Sequence, residues 1–317
     1  MSDLATLVRV SRLYYELGET QEAIAAVVGV TRPQVSRLLK EARAQGVVEI
    51  RIVDRSAVES EAGEALRARF GLRAVHVAPT LDGPAELTRR RVGRLAGEVL
   101  RSAIRDGMVV GIGDGATISS VADELVANAA AGSASATQVD ATVVPLCGGF
   151  WRPGSGDEPF RRIGDALGAS VHALHAPGLL DDPVVRDGLC AHAGVRAVIE
   201  LWARLDVALF GIGAPAWSEA TVGAAVMAEI EAGHAVGEVL IAPFDIDGRL
   251  IAPSLRSRTV AFDAGAIPDV PLAVGVAEGG AKVSPILGAL RGRLVDVLVT
   301  DERTADAVLE LETRSAA

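Results

Sequence analysis

Two short helical stripes of apolar residues, separated by a glycine turn, stand out near the amino terminus. Ala23, Ile24 and Val27 mark the first, and Val35, Leu38, Leu39 and Ala42 mark the second at i, i+3, i+4, i+7, with Val28-Gly29-Val30 between them. This pattern over residues 20–40 predicts a helix-turn-helix. Thr31 opens the second helix: its hydroxyl can cap the Gln34 amide, the Gln34 side chain can reach back, and Pro33 sits in the first turn, where no donor is lost. With the apolar stripe inward, Ser36, Arg37 and Lys40 project outward, and Arg32 and Gln34 lie at the amino end. These residue types pair with base edges or phosphates in a major groove. Gln21 and Thr31, at the two helix starts, complete the candidate DNA-contacting set. Upstream, Leu4, Leu7, Val10, Tyr14 and Leu17 predict a further helix, and residues 47–52, after Gly46, read as a strand. Together they predict a winged unit.

Beyond a polar connection at 54–60, residues 61–70 read as a helix stopped by Gly71, 72–79 as a strand and 86–105 as a long helix. From Met108 the pattern alternates. Strands are expected at 109–112, 142–146, 170–174, 207–210, 272–276 and 295–299, and helices at 118–130, 160–167, 184–202, 220–232 and 285–290. Such alternation predicts a Rossmann-like α/β fold with a mostly parallel, doubly wound sheet. The expected organisation is therefore a DNA-binding domain at 1–53, a linker at 54–60 and an α/β domain at 61–317. The Gly-, Ser- and Ala-rich stretch 132–138 reads as a surface loop.

Charge sharpens this division. The 317 residues carry a net charge of −10, which excludes a protein that coats nucleic acid, yet residues 1–55 hold eight Lys/Arg against seven Asp/Glu. Contact with DNA must then come from one locally basic helix face, and pairing two such faces would add affinity. Cys147 and Cys190 are the only cysteines, too few for a disulfide framework or a metal cluster. The five histidines show no metal-ligand spacing. No apolar run long enough to cross a membrane and no leader pattern is found, so a cytoplasmic protein without metal or cofactor is expected.

Candidate chemistry gathers at strand ends. Gly111-Ile112-Gly113-Asp114-Gly115-Ala116-Thr117 follows a strand and opens a helix, so its backbone and the Thr117 hydroxyl can offer donors to an anion. It lacks the spacing of a dinucleotide fingerprint or a phosphate loop. Similar turns recur at Gly148-Gly149, Gly211-Ile212-Gly213 and Glu278-Gly279-Gly280-Ala281-Lys282. Lys282 and Lys40 are the only lysines, which makes Lys282 a candidate phosphate or hydroxyl partner. Asp245-Ile246-Asp247-Gly248 reads as a hairpin turn, because the downstream ligands of a calcium loop are missing. Arg89, Arg90, Arg91 and Arg94 read as a solvated helix face.

The order and spacing of several stretches, from LVRVSRLYYELGETQEAIAAVVGVTRPQVSRLLK through GIGDGAT, VVPLCGG, DVALFGIG and FDIDGRLI to VGVAEGGAKVSPILGALRGRLVDVLVTDERTADAVLEL, resemble the SorC family of bacterial transcriptional regulators. The resemblance covers nearly the whole chain. It implies an effector domain related in fold to sugar-phosphate isomerases, binding a phosphorylated sugar that controls the operator affinity of a dimer of dimers. By that likeness Gly113, Gly115 and Thr117 hold the phosphate with Gly148 and Gly149 nearby, and Asp245, Arg258, Glu278, Lys282 and Asp301 surround the sugar. Asp114 departs from the family loop, which commonly has an aromatic residue there. A carboxylate beside a phosphate is unfavourable unless it points away or takes a sugar hydroxyl. The expected function is a sugar-responsive regulator rather than an enzyme. The alternative is an active sugar-phosphate isomerase with Asp245, Glu278 and Asp301 as candidate acids and bases.

Overall fold

The computed structural model describes residues 3–48, 60–80, 83–130, 138–149 and 158–316. The chain divides into two compact units, Met1–Asp54 and Arg55–Ala317.

In the first unit, α1 (Leu4–Ser11) runs into a π-helical turn at Arg12–Glu16, followed by α2 (Gln21–Val28) and α3 (Arg32–Ala44). Val10, Ile24, Val35 and Leu39 close its core, and Leu7 and Ala42 are buried as well. Thr20 caps α2 by accepting the Ala23 amide at 3.2 Å, and Gly29 ends it in the left-handed region at φ 75°. The Gln34 side chain accepts the Thr31 amide at 2.8 Å, the return arm of the expected capping box. Leu4 and Leu17, expected inward, are 60% and 69% exposed. The π-helical turn is the reason for Leu17: it breaks the 3.6-residue period, so a stripe drawn through it leaves the core. Val27 is also exposed, since Ile24, Ala25 and Val28 form the inward face of so short a helix. Of the expected wing strand at 47–52, residues 49–52 lie outside the described residues. Val47 and Val48 are not in a strand, and both amides donate to the Ala42 carbonyl, closing α3. The expected linker, apart from Ser60, also lies outside the described residues.

The second unit begins with α4 (Glu61–Phe70), capped by Ser60 and stopped by Gly71 at φ 69°. Then come β1 (Ala74–Ala78), α5 (Ala85–Ala103), β2 (Val109–Ile112), α6 (Ala116–Ala130), β3 (Thr142–Pro145), α7 (Pro159–Leu167) and β4 (Ser170–Val171). Next are α8 (Pro183–Ala191), α9 (Ala193–Trp202), β5 (Leu205–Gly211), α10 (Glu219–Val222), α11 (Ala224–Ala232), β6 (Gly237–Val239) and β7 (Ala242–Phe244). The unit finishes with α12 (Pro253–Arg256), β8 (Ala273–Val276), α13 (Val283–Arg291), β9 (Val297–Asp301) and α14 (Glu302–Ala316). Seven strands form one sheet in the order β1-β9-β8-β5-β2-β3-β4, every pairing parallel. Residues from α5, α6 and α7 cover one face of it, and residues from α4, α9, α13 and α14 cover the other. Parallel strands need both faces covered, and their unbroken apolar runs follow from that.

Three expectations change. The helix drawn over 184–202 is two helices, broken at His192, whose backbone is extended (φ −63°, ψ 132°). That over 220–232 breaks at Gly223, φ 85°. The strand at 170–174 shortens to Ser170–Val171, which pair with Thr142 and Val143 of β3. The turn at Asp245–Gly248 forms as expected: the Gly248 amide donates to the Asp245 carbonyl at 2.9 Å, and Phe244 bridges Leu250 in the antiparallel sense. Of the loop at 132–138, residues 132–137 lie outside the described residues.

One ion network ties three helices of this unit together. Glu312 of α14 accepts from Arg69 of α4 at 2.8 Å and from Arg291 of α13 at 2.6 Å. Burial alone would push the Glu312 carboxyl up, but the two arginine hydrogen bonds outweigh it and hold the carboxyl below its ordinary range. Among the described residues no helix is long and apolar enough to cross a membrane.

Candidate functional site

On the first unit, Arg32, Gln34, Ser36, Arg37 and Lys40 are all exposed, while Gln21 is half-buried. All but Gln21, which opens α2, share the outer side of α3 because Val35, Leu39 and Ala42 turn the other side into the core. Two carry additional duties. The Gln34 side-chain carbonyl is committed to Thr31, whose hydroxyl also donates to it at 3.0 Å, and Arg32 pairs with Glu22 of α2 at 3.0 Å. Ser36, Arg37 and Lys40 form the middle of the presented face. At the far end of α3, Arg43 donates twice to the Tyr15 hydroxyl, at 2.9 and 2.7 Å, fixing the helix to the π-helical turn.

In the second unit, the parallel sheet puts all strand carboxyl ends on one rim, the usual place for ligands in open α/β sheets. A cavity of about 210 Å³ opens there beyond β2 and β3. Its floor is Gly113 to Ala116, one wall is Cys147 to Gly149, and the other is the start of α7 at Glu158 and Pro159. The amino ends of α6 and α7 therefore both reach it; the first amides of α6 lack helical partners, whereas α7 opens on Pro159, which has no N–H, and its Arg161 and Arg162 amides donate to the Glu158 carbonyl. Gly115 has φ 121°, which side chains disfavour. Gly113 is glycine for a different reason: a Cβ would press on the backbone and Cβ of Phe210, which is fully buried. Gly148 likewise leaves room for the Ala176 and Pro177 backbone.

Asp114 folds onto its own loop, accepting the Gly115 amide at 2.7 Å. Its charge and that of Glu238 still act on Cys147: burial first, then these two carboxylates, push that thiol up to about 12. Cys147 is therefore a neutral wall residue at physiological pH rather than a nucleophile.

Thr117 is not on the cavity wall. Its hydroxyl donates to Glu278 at 2.9 Å, and the other Glu278 oxygen accepts from Arg89 at 2.9 Å. The Glu278 side chain is almost buried, and hydrogen bonding and charge from it raise Arg89 despite the cost of burial. Lys282, half-buried just before α13, is pulled below the ordinary lysine range by burial, with the charges of Glu278 and Glu238 opposing. Gly113, Gly115, Gly148 and Gly149 thus meet at the cavity, and Thr117, Glu278 and Lys282 form an adjoining polar cluster.

The remaining three candidates do not line this cavity. Asp301 is buried and accepts from the Gly279 amide at 3.0 Å, the Thr304 amide at 3.2 Å, the Thr80 hydroxyl at 3.3 Å and the Thr304 hydroxyl. It holds the loop that carries Lys282, with no lone pair left over. Asp245 accepts the Asp247 and Arg249 amides at 3.0 and 2.9 Å, an Asx turn of its own hairpin. Arg258 donates to the Val222 carbonyl at 2.7 Å and the Asp181 carbonyl at 3.4 Å, bracing two surface segments.

Arg89 is the residue that sequence reasoning missed. Rather than facing solvent with its neighbours, it reaches Glu278, while Arg90 pairs with Glu124 and Arg94 with Glu98. No local signal marks it, because its partner lies nearly two hundred positions away in the sequence. Glu158 was also not singled out; only the helix start following it was expected.

Comparisons with known proteins agree with this architecture. Residues 55–310 match the family described as "Putative sugar-binding domain", and residues 3–68 match a Crp-like helix-turn-helix domain. The sorbitol operon regulator of Klebsiella pneumoniae is 30% identical, with 97% of this chain and 98% of the relative covered. The deoxyribonucleoside regulator of Bacillus subtilis is 27% identical over 95% and 96%. Among solved structures, the full-length Klebsiella pneumoniae sorbitol operon regulator superposes with a TM-score of 0.76 at 28% identity, covering 98% of this chain and 99% of that one. A probable sor operon regulator from Shigella flexneri gives a TM-score of 0.69 at 26% identity, covering 78% and 98%. A helix-turn-helix with an outward polar face, joined to a sugar-binding-type α/β unit along the full length of these relatives, shows that the chain belongs to the SorC family of sugar-responsive transcriptional regulators.

Proposed function

We propose that this regulator senses a phosphorylated sugar at the rim of its second unit, and that the bound sugar changes its affinity for an operator near carbohydrate uptake or catabolism genes. The observation that carries this reading is the cavity flanked by the amino ends of α6 and α7. Unpartnered helix amides beside a glycine loop form an anion site, and Asp114, folded onto Gly115, is turned to its own backbone. Thr117, Glu278 and Lys282, adjoining it, would receive the sugar hydroxyls. In this reading residues 1–53 contact DNA, 54–60 connect, and 61–317 hold the effector and the contacts of a cytoplasmic homo-oligomer, a dimer of dimers. Turnover is not part of it: Asp245 and Asp301, two of the carboxylates an isomerase would use, are spent on backbone and threonine donors.

Calorimetry with a panel of phosphorylated sugars and their unphosphorylated parents tests the effector site. Thr117→Val should weaken the bound sugar phosphate by about 1 kcal/mol, and Gly115→Val by more, because valine is strained at that φ. Lys282→Ala should weaken phosphorylated sugars far more than their parents if the ammonium meets the phosphate, and both equally if it meets a hydroxyl. Wild-type affinity in all three variants would place the effector elsewhere, and interconversion of any sugar phosphate would restore the isomerase reading.

DNA contact has a separate test. Arg37→Ala and Lys40→Ala should each cost about 1–3 kcal/mol in gel shifts on a duplex that the protein itself selects from a random pool. Both side chains are exposed, so the fold should persist. Unchanged affinity in both would show that α3 is not the recognition helix.

A further inference from the structure

Arg89 has no part in the cavity wall, yet its place is closely set. On α5, a Cβ added to Gly93 would stand 2.7 Å from the Ser120 hydroxyl of α6 and 2.9 Å from the Ser120 backbone, and one added to Gly97 would stand 3.2 Å from the Leu125 side chain. The two glycines let α5 lie directly on α6. One turn before Gly93, the Arg89 carbonyl accepts the Ser120 hydroxyl at 3.3 Å, which fixes the Arg89 backbone beside the first turns of α6.

From there its side chain goes to Glu278, just past β8. Arg89 Nε donates to one Glu278 oxygen at 2.9 Å, the Thr117 hydroxyl donates to the other at 2.9 Å, and Arg89 Nη1 reaches the exposed Glu86 at 3.2 Å. The Glu278 side chain is only 8% exposed. A carboxylate so far out of water needs its cation, because removing one charge of a buried pair leaves the other uncompensated.

The Arg89 charge reaches further. Glu278, Glu238 and Arg89 all act on Lys282, the carboxylates favouring its ammonium and Arg89 opposing it. These two carboxylates and two cations sum to zero, and without Arg89 the group would carry a net negative charge. We propose that Arg89 is a positioning residue of the effector site: it holds the Glu278 carboxylate in place, and its charge keeps the group around Lys282 from repelling a phosphate. This rests on the phosphorylated-sugar reading above and adds the countercharge that lets a phosphate sit among carboxylates.

Calorimetry on the full chain with a hexose phosphate, a pentose phosphate and their unphosphorylated parents tests it, with thermal melts to verify the fold of each variant. Arg89→Gln should weaken the better-bound sugar phosphate about tenfold and its parent by less than about threefold, and added salt should shrink the difference. Arg89→Lys keeps the charge without the planar fork, so most of the preference for phosphate should remain. Combining Arg89→Gln with Glu278→Gln returns the group to neutrality and should restore the ratio of the two affinities. Glu278→Gln alone makes the group positive and should raise that ratio. Going from Glu278→Gln to the double variant removes only the Arg89 charge, with no buried carboxylate left uncompensated. That comparison therefore holds even if Arg89→Gln unfolds, and the ratio should fall about tenfold across it. Equal losses for phosphate and parent, or a ratio unchanged between Glu278→Gln and the double variant, would make Arg89 a brace of the fold and overturn the proposal. A wild-type chain that binds none of the phosphorylated sugars would instead sink the phosphorylated-sugar reading, and the countercharge with it.

Discussion

Asp301→Ala is expected to lower the unfolding free energy by about 2–4 kcal/mol, the range for leaving one or two buried donors without their acceptor. The carboxylate is 2% exposed and satisfies donors from Thr80, Gly279 and Thr304 at once. Alanine leaves the amide and hydroxyl of buried Thr304 without this acceptor, which costs each its desolvation penalty, while the Gly279 amide keeps its 2.8 Å bond to the Thr304 hydroxyl. Urea denaturation followed by tryptophan fluorescence measures the effect in the right place, since Trp151, Trp202 and Trp217 all belong to the second unit. Asp301→Asn keeps the shape but points an amide N–H₂ at groups that are themselves donors, so an intermediate loss is expected. A change below about 1 kcal/mol for alanine would mean that these donors find other acceptors. An asparagine variant of normal stability that fails to bind effector would return Asp301 to direct sugar contact.

The second large effect is expected at Gly248. Its φ is 75°, and a Cβ there would run into the backbone of Gly288 and Gly292 in and just after α13. Backbone cannot swing aside as a side chain can. Gly248→Ala should therefore cost about 1–2 kcal/mol for the left-handed conformation plus about 1–3 kcal/mol for overpacking. Gly71→Ala is the matched control, because Gly71 has φ 69° and open space where its Cβ would stand. It should show the conformational cost alone. Equal losses at the two positions in urea melts would mean that the 245–248 turn is not pressed against α13.

These cases mark how far the sequence could be read. The turn at 245–248 was legible from Asp-x-Asp-Gly, a local signal, but the demand for glycine there comes from a helix forty residues later. The strands were legible because a sheet covered on both faces gives long apolar runs. The helix-turn-helix was legible because its cap, turn and stripe fall within about two dozen residues, whereas the outward turn of Leu17 was hidden by a π-helical turn that no spacing announces. At the candidate site, the glycine loop could be seen, since strand-to-helix turns carry local signatures. The pairing of Arg89 with Glu278, the saturation of Asp301 and the wall supplied by Glu158 could not, because each depends on which strands become neighbours.

The strand order has a consequence for the chain while it is being made. Edge strand β1, near the start of the second unit, has β9 as its partner, Ala74 lying opposite Val297. During synthesis β1 must wait, unpaired, for nearly the whole unit to emerge, and contacts this distant in sequence are the slow ones to form. The first unit needs only contacts among α1, α2 and α3, all made early. A nascent chain can thus possess a folded helix-turn-helix long before it has a finished sheet, so during translation the ability to hold DNA precedes the ability to be regulated.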